Sequence, residues 1–361
     1  MSLMMKTESD FNPITTYGSG IKTNLKDFSW DYFTQQTAKA RFEVNISAPS
    51  PVLRYTFSSV PLSYKHYFSS LIKEKQLIDK MHYQLLEAES ERVIFIVIPR
   101  GIQLDAPITI TTSLKKGAVS LHYVIIAEEG STATIIEEIF AEEESYALMF
   151  YREVFTLPNA CLKIYKRHQI PHDTFYLSKN KTEHAIRSKS QFFDDLSGGK
   201  SVHYHQDFNI IGDDARAEHY FAFTAGGESD YDLRSQAIQQ GVRSNSKLMS
   251  RGLIQDEAKA FFQGNVEIHP CAISAQGAQR TDILLIGNKA RAEAVPILNV
   301  KQNDITCSHA ATITRLREED LFYLKSRGLD ALQAEMMLIA GFLSPITDLF
   351  PVASSLGGEE Q

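Results

Sequence analysis

The period of the apolar positions changes twice along this chain. Up to about residue 25 the sequence is polar and rich in Gly, Thr and Ser, which predicts a frayed start. Stretches 24–36 and 62–90 carry apolar residues three and four apart and predict helices. The second is the better stripe, with Tyr64, Tyr67, Leu71, Ile72, Leu77, Ile78, Met81 and Leu85 on one face and Lys and Glu on the other. At Val93-Ile94-Phe95-Ile96-Val97-Ile98 β-branched and aromatic residues take over, and Pro99-Arg100-Gly101 supplies a turn before Pro107-Ile108-Thr109-Ile110-Thr111 resumes the pattern. Strand-like runs then recur to about Val300, at 121–127, 133–140, 161–165, 202–211, 217–223, 260–268 and 290–298. Near Arg315 the helical period returns. Glu318, Glu319 and Asp320 suit a first turn, and Gly328 ends a short helix. Asp330, with Gln333 three residues on, predicts the N-cap of another, whose stripe is Leu332, Met336, Ile339 and Leu343; Pro345 is expected to stop it, and 357–361 reads as a loose tail.

Three regions follow: a partly helical 1–90, a β core over 91–314 and a helical 315–361. Several corners of the core share a form, a polar or small pair followed by Gly or Ala and then alternating residues. Examples are Glu129-Gly130-Ser131, Pro158-Asn159-Ala160, Asp213-Asp214-Ala215, Asp256-Glu257-Ala258 and Asn288-Lys289-Ala290. Small residues at a corner let one coil stack on the next, so the core is read as mainly β, a β-solenoid. A β-sandwich with similar turns is the alternative, because the period is irregular.

Composition removes several function classes. The 361 residues have 43% hydrophobic and 22% charged content, ordinary for a chain that folds. A net charge of −7 and the lack of a Lys/Arg block argue against nucleic acid and against an anionic membrane surface as partners. No apolar run reaches the roughly 18 residues a membrane helix needs. Cys161, Cys271 and Cys307, odd in number and far apart, fit a reducing compartment, with the cytoplasm the default.

Candidate chemistry is sparse. In Asp304-Ile305-Thr306-Cys307-Ser308-His309 an extended backbone puts Cys307 and His309 on one face, where sulfur and imidazole nitrogen suit a soft metal centre. Two donors complete no tetrahedral site, and a packed Cys beside a hydrogen-bonded His is the structural alternative. His269-Pro270-Cys271 reads as a corner. His203 and His205 share a strand face with His219 near in sequence, but no carboxylate completes a triad. Phosphate-loop, dinucleotide and nucleophile-elbow motifs are lacking. Asp213-Asp214 with Arg216 is the only cluster suited to a β-helix carbohydrate-active enzyme, and a solvated corner accounts for it equally.

In the last third, Ser250-Arg251-Gly252-Leu253, Ala260-Phe261-Phe262-Gln263-Gly264, Leu284-Leu285-Ile286, Cys307-Ser308-His309-Ala310-Ala311-Thr312 and Leu321-Phe322-Tyr323-Leu324-Lys325-Ser326-Arg327-Gly328 occur in order and spacing. Together they resemble the SufB/SufD family of iron–sulfur cluster assembly scaffolds, SufD-like members more than SufB-like ones. The resemblance implies a right-handed parallel β-helix with helical N- and C-terminal regions, pairing with a SufB-like chain through the β core. It further implies docking of a SufC-like ABC ATPase on 316–343, with Leu321, Leu324, Arg327, Leu332, Met336 and Ile339 as contacts. Cys307 and His309 match the family's Cys-Ser-His, at the interface where a transient iron–sulfur cluster forms. Thr281 stands where SufB-like chains carry a sulfur-accepting cysteine, so the chain resembles the half that receives no sulfur and has no turnover of its own. Ala310 replaces the usual glycine, and Gln239 stands where many relatives have histidine. Two other readings remain open: a homodimer that binds iron or a flavin, and a β-helix carbohydrate-active enzyme.

Overall fold

The computed structural model describes residues 30–68 and 92–351. From Val93 to Arg315 the backbone winds as a solenoid whose coils contribute alternately to two faces. One face carries β5 (Thr132–Ala141), β7 (Cys161–Ile170), β9 (Lys189–Gly198), β11 (Arg216–Ala225), β13 (Asn245–Ile254), β15 (Ala275–Leu285) and β17 (Ile305–Arg315). The other carries β3 (Val93–Ile98), β6 (Ser145–Thr156), β8 (Phe175–His184), β10 (Ser201–Ile210), β12 (Asp230–Gln239), β14 (Lys259–Ile268) and β16 (Arg291–Val300). The long β4 (Ile108–Ala127) pairs with β5 in its first half and with β3 and β6 in its second, joining both faces. Every pairing from β3 onward is parallel, which removes the β-sandwich alternative, because sandwiches are built from antiparallel sheets.

The N-terminal region contains strands that its apolar pattern did not reveal. Beside α1 (Trp30–Thr37) and α2 (Leu62–Phe68), β1 (Arg41–Ser47) and β2 (Leu53–Thr56) pair antiparallel with β4 and β3 and cap the first coil. Phe42, Val44 and Ile46 of β1 pack on the core while the residues between them face solvent. Only the start of the stripe predicted over 62–90 is described, as α2; the rest, with the predicted start and tail, lies outside the described residues.

The corners explain the recurring sequence signature. Gly101, Gly130, Asn159, Arg187, Asp214, Arg243 and Ser274 all have positive φ and stack coil upon coil. Each donates its N–H to a carbonyl one coil further on, as Asn159 does to Ile186 at 3.0 Å and Asp214 to Val242 at 2.9 Å. Asn and Asp tolerate this conformation better than most residues, and the small residue that follows, Ser131, Ala160 or Ala215, is fully buried under the next coil.

Parallel register stacks like positions into columns. One inward column runs Ile108, Ile135, Ile164, Phe192, His219, Leu248, Gln279 and His309. It is apolar at first and becomes polar toward the last coil.

The C-terminal region matches its pattern with one correction. Helix α3 (Glu318–Ser326) ends at Gly328, and Asp330 caps α4 (Ala331–Thr347) with a full capping box through Gln333. Pro345, expected to end the helix, sits inside it. Its ring removes the N–H that Gly341 O would accept, and Ser344 Oγ donates to that carbonyl instead at 3.1 Å. The side of α4 with Ala334, Leu338, Phe342 and Ile346 is the more buried one, over β11 and β13. Among the described residues no single helix is long and apolar enough to cross a membrane; α3 and α4 pass that test only together, across a 117° bend.

Candidate functional site

The middle of the solenoid is polar inside. Arg152 donates from Nε to Glu137 Oε2 at 2.7 Å, pairs through Nη2 with Oε1, and reaches Ser178 Oγ at 3.0 Å and Asn180 Oδ1 at 3.2 Å. Burial alone would raise the Glu137 carboxyl, but Arg152 and His168 outweigh it and hold it down to about 2. One coil on, Lys166 Nζ donates to Tyr204 at 2.7 Å and lies 3.2 Å from Asp194, whose carboxyl Lys166, His219 and Tyr204 hold below the carboxylate range against the pull of burial. These groups neutralise one another inside the coil, which is how buried charge is tolerated.

That network contains the connectivity of a hydrolase triad. Asp194 accepts from His219 Nε2 at 2.9 Å, leaving Nδ1 bare to accept from Ser235 Oγ at 2.7 Å. Yet Ser235, His219 and Asp194 are at most 2% exposed, and Phe208 and Phe221 pack on the imidazole at 5.6 and 5.4 Å. A substrate carbonyl has no path to the hydroxyl, so the arrangement serves packing and not acyl transfer.

His219 is therefore separated from His203 and His205, which point outward from β10. The carboxylate missing from that pair in sequence comes from the next coil: Asp232 lies 3.3 Å from His203 Nδ1 and 3.6 Å from His205 Nε2, through different oxygens. Burial would raise the Asp232 carboxyl, and the two imidazoles hold it far down. Sharing one carboxylate does not gather the rings around one point, and no group of three His, Cys, Asp or Glu among the described residues is placed to hold a metal ion. Asp214 faces Arg243 across an exposed corner at 2.7 Å, and His269 lies 3.3 Å from Glu267 beside the corner bearing exposed Cys271.

Cys307 and His309 end the inward columns. Cys307 pairs with Gly277 and His309 with Gln279, so both point toward the solenoid interior at its last coil. The thiol is half-buried against the core, and burial pushes it up, favouring the protonated form. His309 is exposed. Beneath them Gln279 Nε2 donates to buried Thr281 at 3.0 Å. Gln239 accepts from Ser246 at 2.8 Å and donates to Ser244 and to Gln276 O, both at 3.1 Å, so its amide is committed to holding the coil. On the far side of β16 and β17 no described strand follows, and their backbone groups face outward.

On α3 and α4, Leu332 and Met336 are exposed, as is Arg327, while Leu321, Leu324 and Ile339 are half-buried. Phe322, on the apolar side that the sequence predicts for α3 with Leu321 and Leu324, is exposed, as is Met337, which lies outside the predicted stripe.

The β-solenoid is thus capped at its first coil by antiparallel strands, and its last coil carries a thiol and an imidazole on the rim. The SufBD core domain of the SUF system for FeS cluster assembly matches residues 109–342, and the chain belongs to this family. It is 26% identical over 263 residues to the iron–sulfur cluster assembly protein SufD of Bacillus subtilis, covering 72% of this chain and 60% of that one. It is 27% identical over 271 residues to the chloroplastic protein ABCI7 of Arabidopsis thaliana, covering 72% and 57%. A SufBD family protein of Mycobacterium leprae is 22% identical over 268 residues, 73% of this chain and 31% of that relative. The chain thus spans less than two thirds of each relative's length.

Proposed function

We propose that this chain is a non-catalytic scaffold subunit of a SUF-type assembly complex, pairing through the edge of β16 and β17 with a SufB-like chain. Cys307 and His309 then offer a thiolate and an imidazole to the nascent cluster, which is cargo, and the partner supplies the remaining ligands. The observation that carries this reading is the last coil itself: two donors of the right softness on the rim of an unpaired, outward-facing strand pair.

A SufC-like ATPase docks on α3 and α4. Phe322 at 73%, Leu332 at 68% and Met336 at 59% exposure form an apolar surface of the kind that marks a protein contact. ATP hydrolysis belongs to that partner.

Met336→Asp and Leu332→Asp test the docking surface. Both should fold normally, since neither side chain is packed, and both should lose the ATPase on co-purification while keeping the SufB-like chain. Undiminished recovery of the ATPase would remove this surface from the account.

A further inference from the structure

The helical pair is held on the solenoid by packing, by the chain connection and by a polar contact. Ala334 and Ile346 of α4 are buried over β11 and β13, and Phe350 just beyond the helix packs on Tyr165 and Phe193. Covalently, α3 follows β17 through Leu316, whose N–H donates to Leu285 O at 3.2 Å, and Arg315 braces the exit by donating from Nη2 to Ala290 O at 3.2 Å. One side chain adds a polar contact to this packing. Arg251, on the outer face of β13, donates from Nη1 to the carbonyl of Phe342 in α4, and its guanidinium lies 5.2 Å from the centre of the Phe342 ring. Its Nη2 lies 3.9 Å from Asp282 of β15, and Asp282 accepts from Arg280 Nε at 2.8 Å.

Register extends this contact toward the last coil. Arg251, Asp282 and Thr312 are consecutive members of one outward column, on β13, β15 and β17. His309 lies three residues from Thr312 on the same strand. A displacement of α4 therefore pulls on the strand that pairs with β17, while the chain leaving Arg315 pulls on β17 from its end.

We infer that Arg251 is a positioning residue that couples the placement of the α3–α4 pair to the strand carrying Cys307 and His309. The inference rests on the proposed scaffold reading for its purpose, and on the contacts of Arg251 alone for its existence. Arg251 does not touch the docking surface, since Leu332 and Met336 are exposed and Phe342 is half-buried. Arg280 shares Asp282 from an exposed position, so it serves as the control.

The test is amide hydrogen exchange, peptide by peptide, on the full chain and on variants Arg251→Gln, Arg251→Lys and Arg280→Gln. In the free chain, Arg251→Gln should speed exchange roughly tenfold in the second half of α4 and also in β17, with β5, β7 and β9 unchanged. Arg251→Lys should give a partial effect, because it keeps charge without the guanidinium's geometry, and Arg280→Gln should leave α4 as it was. Faster exchange in α4 with β17 unmoved, or no change in either, overturns the coupling. A second arm adds the SufC-like ATPase with a non-hydrolysable ATP analogue. Wild type should show altered exchange in β17, and Arg251→Gln should bind the ATPase equally well but lose that alteration. If the ATPase binds neither protein, the partner assignment fails while the free-chain comparison still decides the coupling.

Discussion

The thiol of Cys307 sits where Gly277 leaves room for it. A β-carbon built on Gly277 would lie 3.1 Å from Cys307 Sγ, 2.8 Å from Val266 Cγ1 and 3.1 Å from Gln239 Oε1. The glycine one coil down thus sets how deeply the thiol is seated.

Gly277→Ala should push Cys307 outward and displace Val266, at a cost of about 1–3 kcal/mol. The expected outcome is a lower melting temperature together with faster alkylation of Cys307. Unchanged alkylation would mean that Gly277 does not set the seat of the thiol.

His309→Ala removes an exposed imidazole, so melting temperature and far-UV circular dichroism should stay close to the wild type. Iron and sulfide recovered with the assembled complex should fall. A complex that keeps its full cluster content would show that His309 is not a ligand.

Acid should weaken the fold in two steps. Burial lowers the His184 imidazole to about 4 from 6.5, and His168 and His219 move in the same direction. Above pH 6.5 these groups are neutral folded or unfolded and add no pH dependence. As pH falls toward 4 the unfolded chain takes up protons that the folded chain refuses, so stability drops at about 1.4 kcal/mol per pH unit for each proton. Glu137, depressed from 4.5 to about 2 by Arg152, contributes stability above pH 4.5 that is lost as pH falls through that window. Denaturant melts between pH 8 and 3 should show a decline beginning near pH 6.5; a flat profile down to pH 5 would contradict the buried neutral histidines.

Arg152→Met leaves the buried Glu137 carboxylate with only the His168 imidazole, 3.5 Å away, as an ionic partner and should cost about 3–5 kcal/mol. Adding Glu137→Leu should recover most of that loss, because a matched apolar pair replaces a matched ionic one. A double variant no better than the single one would mean that Ser178, Asn180 and His168 need the ion pair as their framework.

How far the sequence revealed this molecule depended on what lies inside each coil. Where the interior is aliphatic the strands show, as an unbroken β-branched and aromatic run at Val93 to Ile98 and as recurring apolar positions in the column through Ile135 and Ile164. In β8 the inward positions are Tyr176, Ser178, Asn180, Thr182 and His184, and in β12 they include Ser235 and Gln239, so polar residues face both ways and the period-two signal vanishes. The corners at Gly130, Asn159, Asp214 and Asp256 were legible because left-handed turns favour Gly, Asn and Asp and a small residue follows closely; those at Arg187, Arg243 and Ser274 place other residue types in the same conformation and did not show. Asp232 could not be joined to His203 and His205, because the pairing spans a whole coil. Cys307 and His309 were legible as a pair on one face; that they end an open coil depends on which strand comes last, a property of topology that local spacing does not carry.

The most direct test of the scaffold account is a pull-down of the tagged chain from its native cells, with identification of co-eluting proteins and iron and sulfide analysis of the eluate. The account predicts an ABC-type ATPase and a SufB-like chain, with iron and sulfide present in the complex. Recovery of this chain alone and free of metal would contradict it.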